Sequence, residues 1–180
     1  MSLMQRRRAL MGALDSVPKI LPGTVIWENL VTGLDNLTIL SYGGAHCNHG
    51  NTGYDITLAA SRTSGIGACV LGFGTPMDFS RCSKIVFNYA LAKYGGSYSG
   101  APVRFGLGQM PSTAQEFYSN SALYIPETTA FQRTVPSTNI QEEIEIKIAA
   151  NMGAVLPIIS IWTAGSYSGG LYRPLKIWVE

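Results

Sequence analysis

Charged residues are scarce in this chain. They supply 13% of its 180 residues, about half the usual share, and they nearly cancel, leaving a net charge of +2. With no dense basic face to neutralise phosphates, nucleic acid is not expected as the main partner. Histidine is rarer still, at two residues, and both fall in His46-Cys47-Asn48-His49, read here as part of a glycine-rich loop. That cluster is the only gathering of metal-ligand types. A structural zinc site takes four ligands, and the loop supplies at most three. His46, Cys47 and His49 are therefore weak candidates, better read as polar loop residues, and no metal or other cofactor is expected. The three cysteines, Cys47, Cys69 and Cys82, are odd in number and fit no disulfide framework, which predicts reduced thiols and assembly in a cytoplasm.

Long apolar runs are missing as well. None approaches the ~18 residues that a membrane-crossing helix needs, so a soluble protein without membrane insertion is expected. The apolar stretch after the first arginines stops at Gly12 and Asp15, which argues against a secretory leader. Nor are catalytic motifs in view. There is no G-x-S-x-G elbow or P-loop, and Gly106-Leu-Gly108 lacks the rest of a dinucleotide fingerprint. Asp55, Asp78, Glu116 and Glu127 are scattered acids without the fixed separation that glycoside hydrolysis requires. Their simplest roles are to cap turns and pair with Arg62, Arg81, Arg104 or Arg133. Glu142, Glu143 and Glu145 read as one solvated strand face. No enzyme is expected.

Apolar residues (46%), glycine (20) and tyrosine (9) are plentiful. Short apolar or alternating runs are divided by Gly, Asn, Ser and Pro, the rhythm of an all-β sandwich or barrel. The candidate strands are Thr24–Trp27, Leu37–Tyr42, Asp55–Ser61, Ala68–Phe73, Lys84–Ala92, Val103–Gly108, Phe131–Val135, Glu143–Ala149, Ile158–Thr163 and Leu175–Val179. About ten strands suffice for two packed antiparallel sheets. Alternation from Glu143 to Ile148 predicts one core face and one wet face. The continuously apolar runs at Lys84–Ala92 and Ile158–Trp162 predict central strands. Ser112 to Phe117 has the look of a capping box, Ser112 with Gln115, and predicts one helical turn. Trp27, Trp162 and Trp178 are read as core.

Ahead of the strands stands a segment of another kind. Leu3, Leu10, Met11 and Leu14 recur at helical spacing with Arg6, Arg7 and Arg8 between them, predicting a short amphipathic helical arm. Helices below about 12 to 15 residues are marginal in water, so this one is expected to order only against a partner or its own body. Leu3, Arg6, Arg7, Arg8, Leu10 and Met11 are the candidate docking residues, the arginines for carboxylates and the apolar side chains for a groove. Val17 to Pro22 carries two prolines and reads as a spacer. The expected division is therefore an arm and linker over residues 1–22 and a sandwich over 23–180. One short string repeats, Gly96-Ser-Tyr-Ser-Gly100 and Gly165-Ser-Tyr-Ser-Gly169. These are permissive hairpin loops, or loops that present Tyr98 and Tyr167 to a ligand.

Three stretches carry a resemblance: Met4-Gln-Arg-Arg-Arg-Ala-Leu-Met11, the approach to a central strand at Pro76-Met-Asp-Phe-Ser-Arg-Cys-Ser-Lys-Ile-Val-Phe87, and the closing strand Leu175-Lys-Ile-Trp-Val-Glu180. They resemble minor structural, tail-associated proteins of tailed bacteriophages and prophages of gut bacteria. Cys82 stands where those proteins have an aromatic residue, and Val179 where they have leucine. The resemblance implies a virion component with a jelly-roll-like sandwich, a fibre, baseplate or host-adhesion module with carbohydrate-binding relatives and no catalytic residues. The expectation is a non-enzymatic virion structural protein, a homo-oligomer held to other virion proteins by its arm, with a host-surface glycan as further partner. Its rivals are a carbohydrate-binding module not tied to a virion, with Tyr98 and Tyr167 as stacking rings, and a glycan hydrolase.

Overall fold

Strand-forming runs pair into two antiparallel sheets in the computed structural model, which describes residues 17–29, 31, 37–43, 45–49, 56–61, 66–93, 102–120, 124–126, 130–134, 138, 140–164 and 168–180. In chain order the strands are β1 (Val25–Glu28), β2 (Leu37–Tyr42), β3 (Ala45–His49), β4 (Ile56–Ser61), β5 (Ile66–Phe73), β6 (Met77–Asp78), β7 (Lys84–Lys93), β8 (Pro102–Gly108), β9 (Ala130–Thr134), β10 (Ile140–Lys147), β11 (Ala154–Ala164) and β12 (Ser168–Val179). One short helix, α1 (Ala114–Ser119), follows β8. The first sheet runs β10-β7-β12-β4-β3, with β1 also on β12. The second runs β2-β5-β11-β8-β9, with β6 on β11. This is the expected jelly-roll-like sandwich.

Side-chain period explains the packing. On β10, Ile144 and Ile146 are buried while Glu143, Glu145 and Lys147 are exposed, as the alternation requires. Between the sheets Phe105 meets Phe87, Tyr89 and Phe131 at ring separations of 5.7, 4.5 and 6.2 Å, and Trp27 lies edge-on to Phe73 at 5.6 Å. β7 and β11 both lie inside their sheets, as expected. On β11, Val155, Ile159 and Ile161 enter the inter-sheet core, whereas Leu156 and Ile158 join a second cluster with Val70, Ala114, Phe117 and Ile125 on the outer side. Its unbroken apolar run thus reflects cover on both faces.

Several expectations need correction. The helix starts later than the capping-box reading placed it: the cap is Thr113, whose Oγ1 accepts the Glu116 N–H at 3.1 Å, and Glu116 reaches back to the Ser112 N–H. His46, Cys47 and His49 do not sit in a loop. They belong to β3, an edge strand that pairs with β4, and pairing overrides a composition poor in strand formers. Glu142 is not part of a wet face. It shares the inner register of β10 with Ile140 and Ile144, takes a hydrogen bond from the Tyr89 hydroxyl at 2.8 Å and pairs with Arg133 of β9 at 2.5 Å, tying the two sheets at their rim. The spacer read at Val17 to Pro22 is stitched to the body: Asp78 N–H donates to Pro18 O at 2.8 Å, Ile20 N–H to Asp78 O at 2.9 Å and Gly23 N–H to Val179 O at 2.7 Å. Gly23 makes this turn at φ +84°, in the left-handed region that glycine enters freely.

Candidate functional site

The turn from β10 to β11 needs two left-handed residues, and the sequence supplies Asn151 (φ 63°) and Gly153 (φ 72°), an amide and a glycine suited to that region. The turn leads into Ala154, which pairs with Asp78 of β6. Because Leu156 and Ile158 face away from the inter-sheet core, Ala154 shares their side, and so do its partner Asp78 and the row Ile158, Gly72 and Thr38 across β11, β5 and β2. That common side is the outer face of the second sheet.

Clefts open along this face. The largest, of about 420 Å³, is bounded by Thr38, Thr75, Pro76, Gln109, Met110, Ala154 and Leu156. Its neighbour, of about 280 Å³, is lined by Val17, Asp78, Ser80, Asn151, Met152 and Ala154. Ala154 lines both. A third, also of about 280 Å³, continues past Ser80, Ala149 and Asn151 to Cys82 and Ile148. These volumes sit near the lower end of the range for ligand pockets, roughly 300–1,000 Å³, and describe a trough rather than a deep cavity.

Its walls are held from beneath. Gly72 lies so close to Met110 that a Cβ there would come within 2.6 Å of the sulfur, which fixes the thioether across the floor. Gln109 N–H donates to Tyr124 O at 2.9 Å, and the Arg104 guanidinium donates to Ile125 O at 2.9 Å, pinning the 124–125 segment against β8. At the other end Asp78 Oδ1 accepts the Ser80 N–H at 2.9 Å. That bond, the Ser80 side chain and the nearby Lys19 and Arg81 hold the Asp78 carboxyl below its ordinary range, so it is ionised at neutral pH. Burial pushes the Cys82 thiol up, with the Asp78 charge adding to it, and the thiol donates to Ile20 O at 3.6 Å. Cys82 is therefore an inert wall residue, not a nucleophile.

Several polar groups elsewhere pair with one another. On the outer face of the first sheet the Trp178 indole donates to Glu180 at 3.2 Å, and Lys84 bridges Glu180 and Glu145 at 3.0 and 2.5 Å. The hydrogen bonds that Lys84 donates to Glu145 and Glu180 raise its amine, and the Lys84 bond lowers the Glu180 carboxyl. Glu116, one of the scattered acids, caps α1 and also accepts the Tyr124 hydroxyl.

The residues singled out from the sequence are placed unevenly. Leu3, Arg6, Arg7, Arg8, Leu10, Met11, Tyr98 and Tyr167 lie outside the described residues, as do Asp55, Arg62 and Glu127. For His46, Cys47 and His49 the strand backbone is described and the side chains are not. Among the described residues no three metal-ligating side chains converge. Of the two acids of the original four that are described, Asp78 lines the trough and Glu116 does not. The sequence signal for the rest was slight: the Asn151-Met-Gly153 turn is visible, but nothing in its spacing points to Asp78 or Gln109.

No protein-family model matches the chain, and no curated protein matches it. Among solved structures, the enzymatically active domain of tailspike protein 4 of bacteriophage CBA120 superposes with a TM-score of 0.51 at 10% identity, over 89% of this chain and 22% of the tailspike chain. A family 11 carbohydrate-binding module from Clostridium thermocellum matches with a TM-score of 0.48 at 15% identity, over 89% of this chain and 97% of the module. The chain thus spans less than a quarter of the tailspike's length. What it shares with that domain is the β-sandwich fold.

Proposed function

We propose that the chain is a non-enzymatic structural protein of a phage virion, anchored by its N-terminal arm, whose sandwich binds glycan on the host surface. The observation that carries the glycan reading is the set of adjoining clefts itself: hydroxyls, amides, a carboxylate and apolar groups side by side are the mixture that a sugar's hydroxyls and C–H faces require. Its fold is one that a tailspike domain also uses. Glycoside hydrolysis by the usual route takes two carboxylates flanking one bond. Among the described residues the three clefts hold one, Asp78. Shallow clefts imply weak single contacts, which suits a protein displayed in many copies, because linked copies raise avidity by roughly 10²–10⁴ without a new contact.

A glycan array probed with the wild type and with Asp78→Ala/Asn151→Ala tests this. Binding by the wild type and its loss in the variant are expected, with no hydrolysis product released from bound glycans. Product formation, or an array on which nothing binds, refutes the reading.

A further inference from the structure

We infer that the trough takes a linear, uncharged oligosaccharide, with a pair of adjacent hydroxyls seated on Asp78 and an apolar ring face laid on Met110. This rests on the glycan-binding reading and narrows it to a ligand class.

Continuity sets the shape of the ligand. The largest cleft meets the middle one at Ala154, and the middle one meets the third at Ser80 and Asn151, while the outer two share no residue. Each outer compartment therefore borders the middle one. A single sugar would fill one of them; a chain fills all three.

Charge sets its chemistry. Among the described residues the largest cleft is lined by threonine, glutamine, glycine, proline, alanine, methionine and leucine, with no charged side chain. A polyanion with a charge on every ring would place one of them there without a counter-ion, at the cost of desolvating it. Among the described residues the only full charge lining the middle cleft is the Asp78 carboxylate, which repels a second anion. Lys19 and Arg81 lie close enough to lower its proton affinity, but neither lines the cleft. An uncharged ligand avoids each of these costs.

The donors and acceptors then fit a diol. Asp78 Oδ1 is engaged by the Ser80 N–H, and an ionised carboxylate has further acceptor sites for two hydroxyl protons. Asn151, exposed on the same cleft, offers an amide that both donates and accepts. At the far end the Met110 thioether lies over Gly72 beside Leu156, a polarisable surface for the C–H face of a ring.

The test is calorimetric titration of the full chain with two ladders, each running from a single ring to a hexasaccharide. One contains neutral glucose, galactose, mannose, rhamnose and N-acetylhexosamine chains, and the other oligogalacturonides. Affinity for a neutral ladder should climb with length until the three clefts are filled and then level off, while the acidic ladder stays unbound. Asp78→Asn should weaken binding about tenfold, the value of a hydrogen bond to a charged group. Met110→Ala should weaken the longer chains more than the single ring. A single cooperative melting transition shows that each variant is folded, with Met110→Ala melting lower because its side chain packs on the outer cluster. Equal affinity for acidic chains, affinity independent of length, or wild-type affinity in both variants overturns the inference. If a glycan binds and neither variant affects it, only the trough assignment falls; if no glycan binds at all, the glycan-binding reading falls with it.

Discussion

Gly108 and Gly72 flank β11 from opposite sides and should tolerate a side chain very differently. A Cβ on Gly108 would sit 1.6 Å from the Tyr124 carbonyl oxygen, and that backbone is fastened at both Tyr124 and Ile125. On Gly72 the nearest atoms are the Met110 sulfur and the Leu156 methyl, ends of side chains that can turn away. Gly108→Ala should cost about 3 kcal/mol, roughly 6–12 °C in melting temperature, and Gly72→Ala about 1 kcal/mol. Equal losses in thermal melts would contradict this account of the wall. Tyr89 gives a second test. Burial first, and then its bond to Glu142, raise the phenol above its ordinary value. An acid whose folded pKa is raised contributes stability below its unfolded value, near 10, and loses it as pH climbs beyond. Denaturant titrations should show the wild type losing stability above about pH 10 and Tyr89→Phe losing less, with the variant about 1.5 kcal/mol weaker at neutral pH. The sequence held a signal for this cluster that composition hid. Glu142 is in step with Ile140, Ile144 and Ile146, so the alternation itself places it inward, although its charge and acidic neighbours suggest solvent.

Strands were legible where period and composition agreed. β10 and β2 follow their alternating or apolar residues, and β7 and β11 take central places because their apolar runs leave no face for water. β3 and β6 were not legible. Ala45–His49 is extended because β4 offers it a ladder, and Met77–Asp78 because β11 does; neither cause is local. α1 lies between these cases, since its cap was one residue off while its existence was plain. Only six residues long, it persists by covering Ala68, Val70 and Ile158. Thr113→Ala removes the hydroxyl that satisfies the Glu116 N–H and should lower stability by about 1 kcal/mol, with faster amide exchange confined to α1. Exchange spreading through both sheets would count against so local a role.

Fold class was readable from the whole chain because it depends on summed periodicity, which many residues report. The trough was not, because its walls come from the β5–β6 turn, the β8–α1 link and the β10–β11 turn, and only the finished sandwich brings those together. The proposed division of tasks between arm and body leads to one further expectation. Deleting residues 1–14 should leave a sandwich with its melting transition intact and abolish incorporation into particles, as followed by co-sedimentation. A truncated chain that still sediments with particles would rule out the arm as anchor.

The pairing of Pro18 and Ile20 with Asp78 has a mechanical corollary. If a host surface pulls at Asp78 while a particle holds the arm, the tension passes from carboxylate to tether through two neighbouring hydrogen bonds at one edge. Of the two sheets only β6 lies on that route, so a load applied there would bypass the strands on either side of the inter-sheet core.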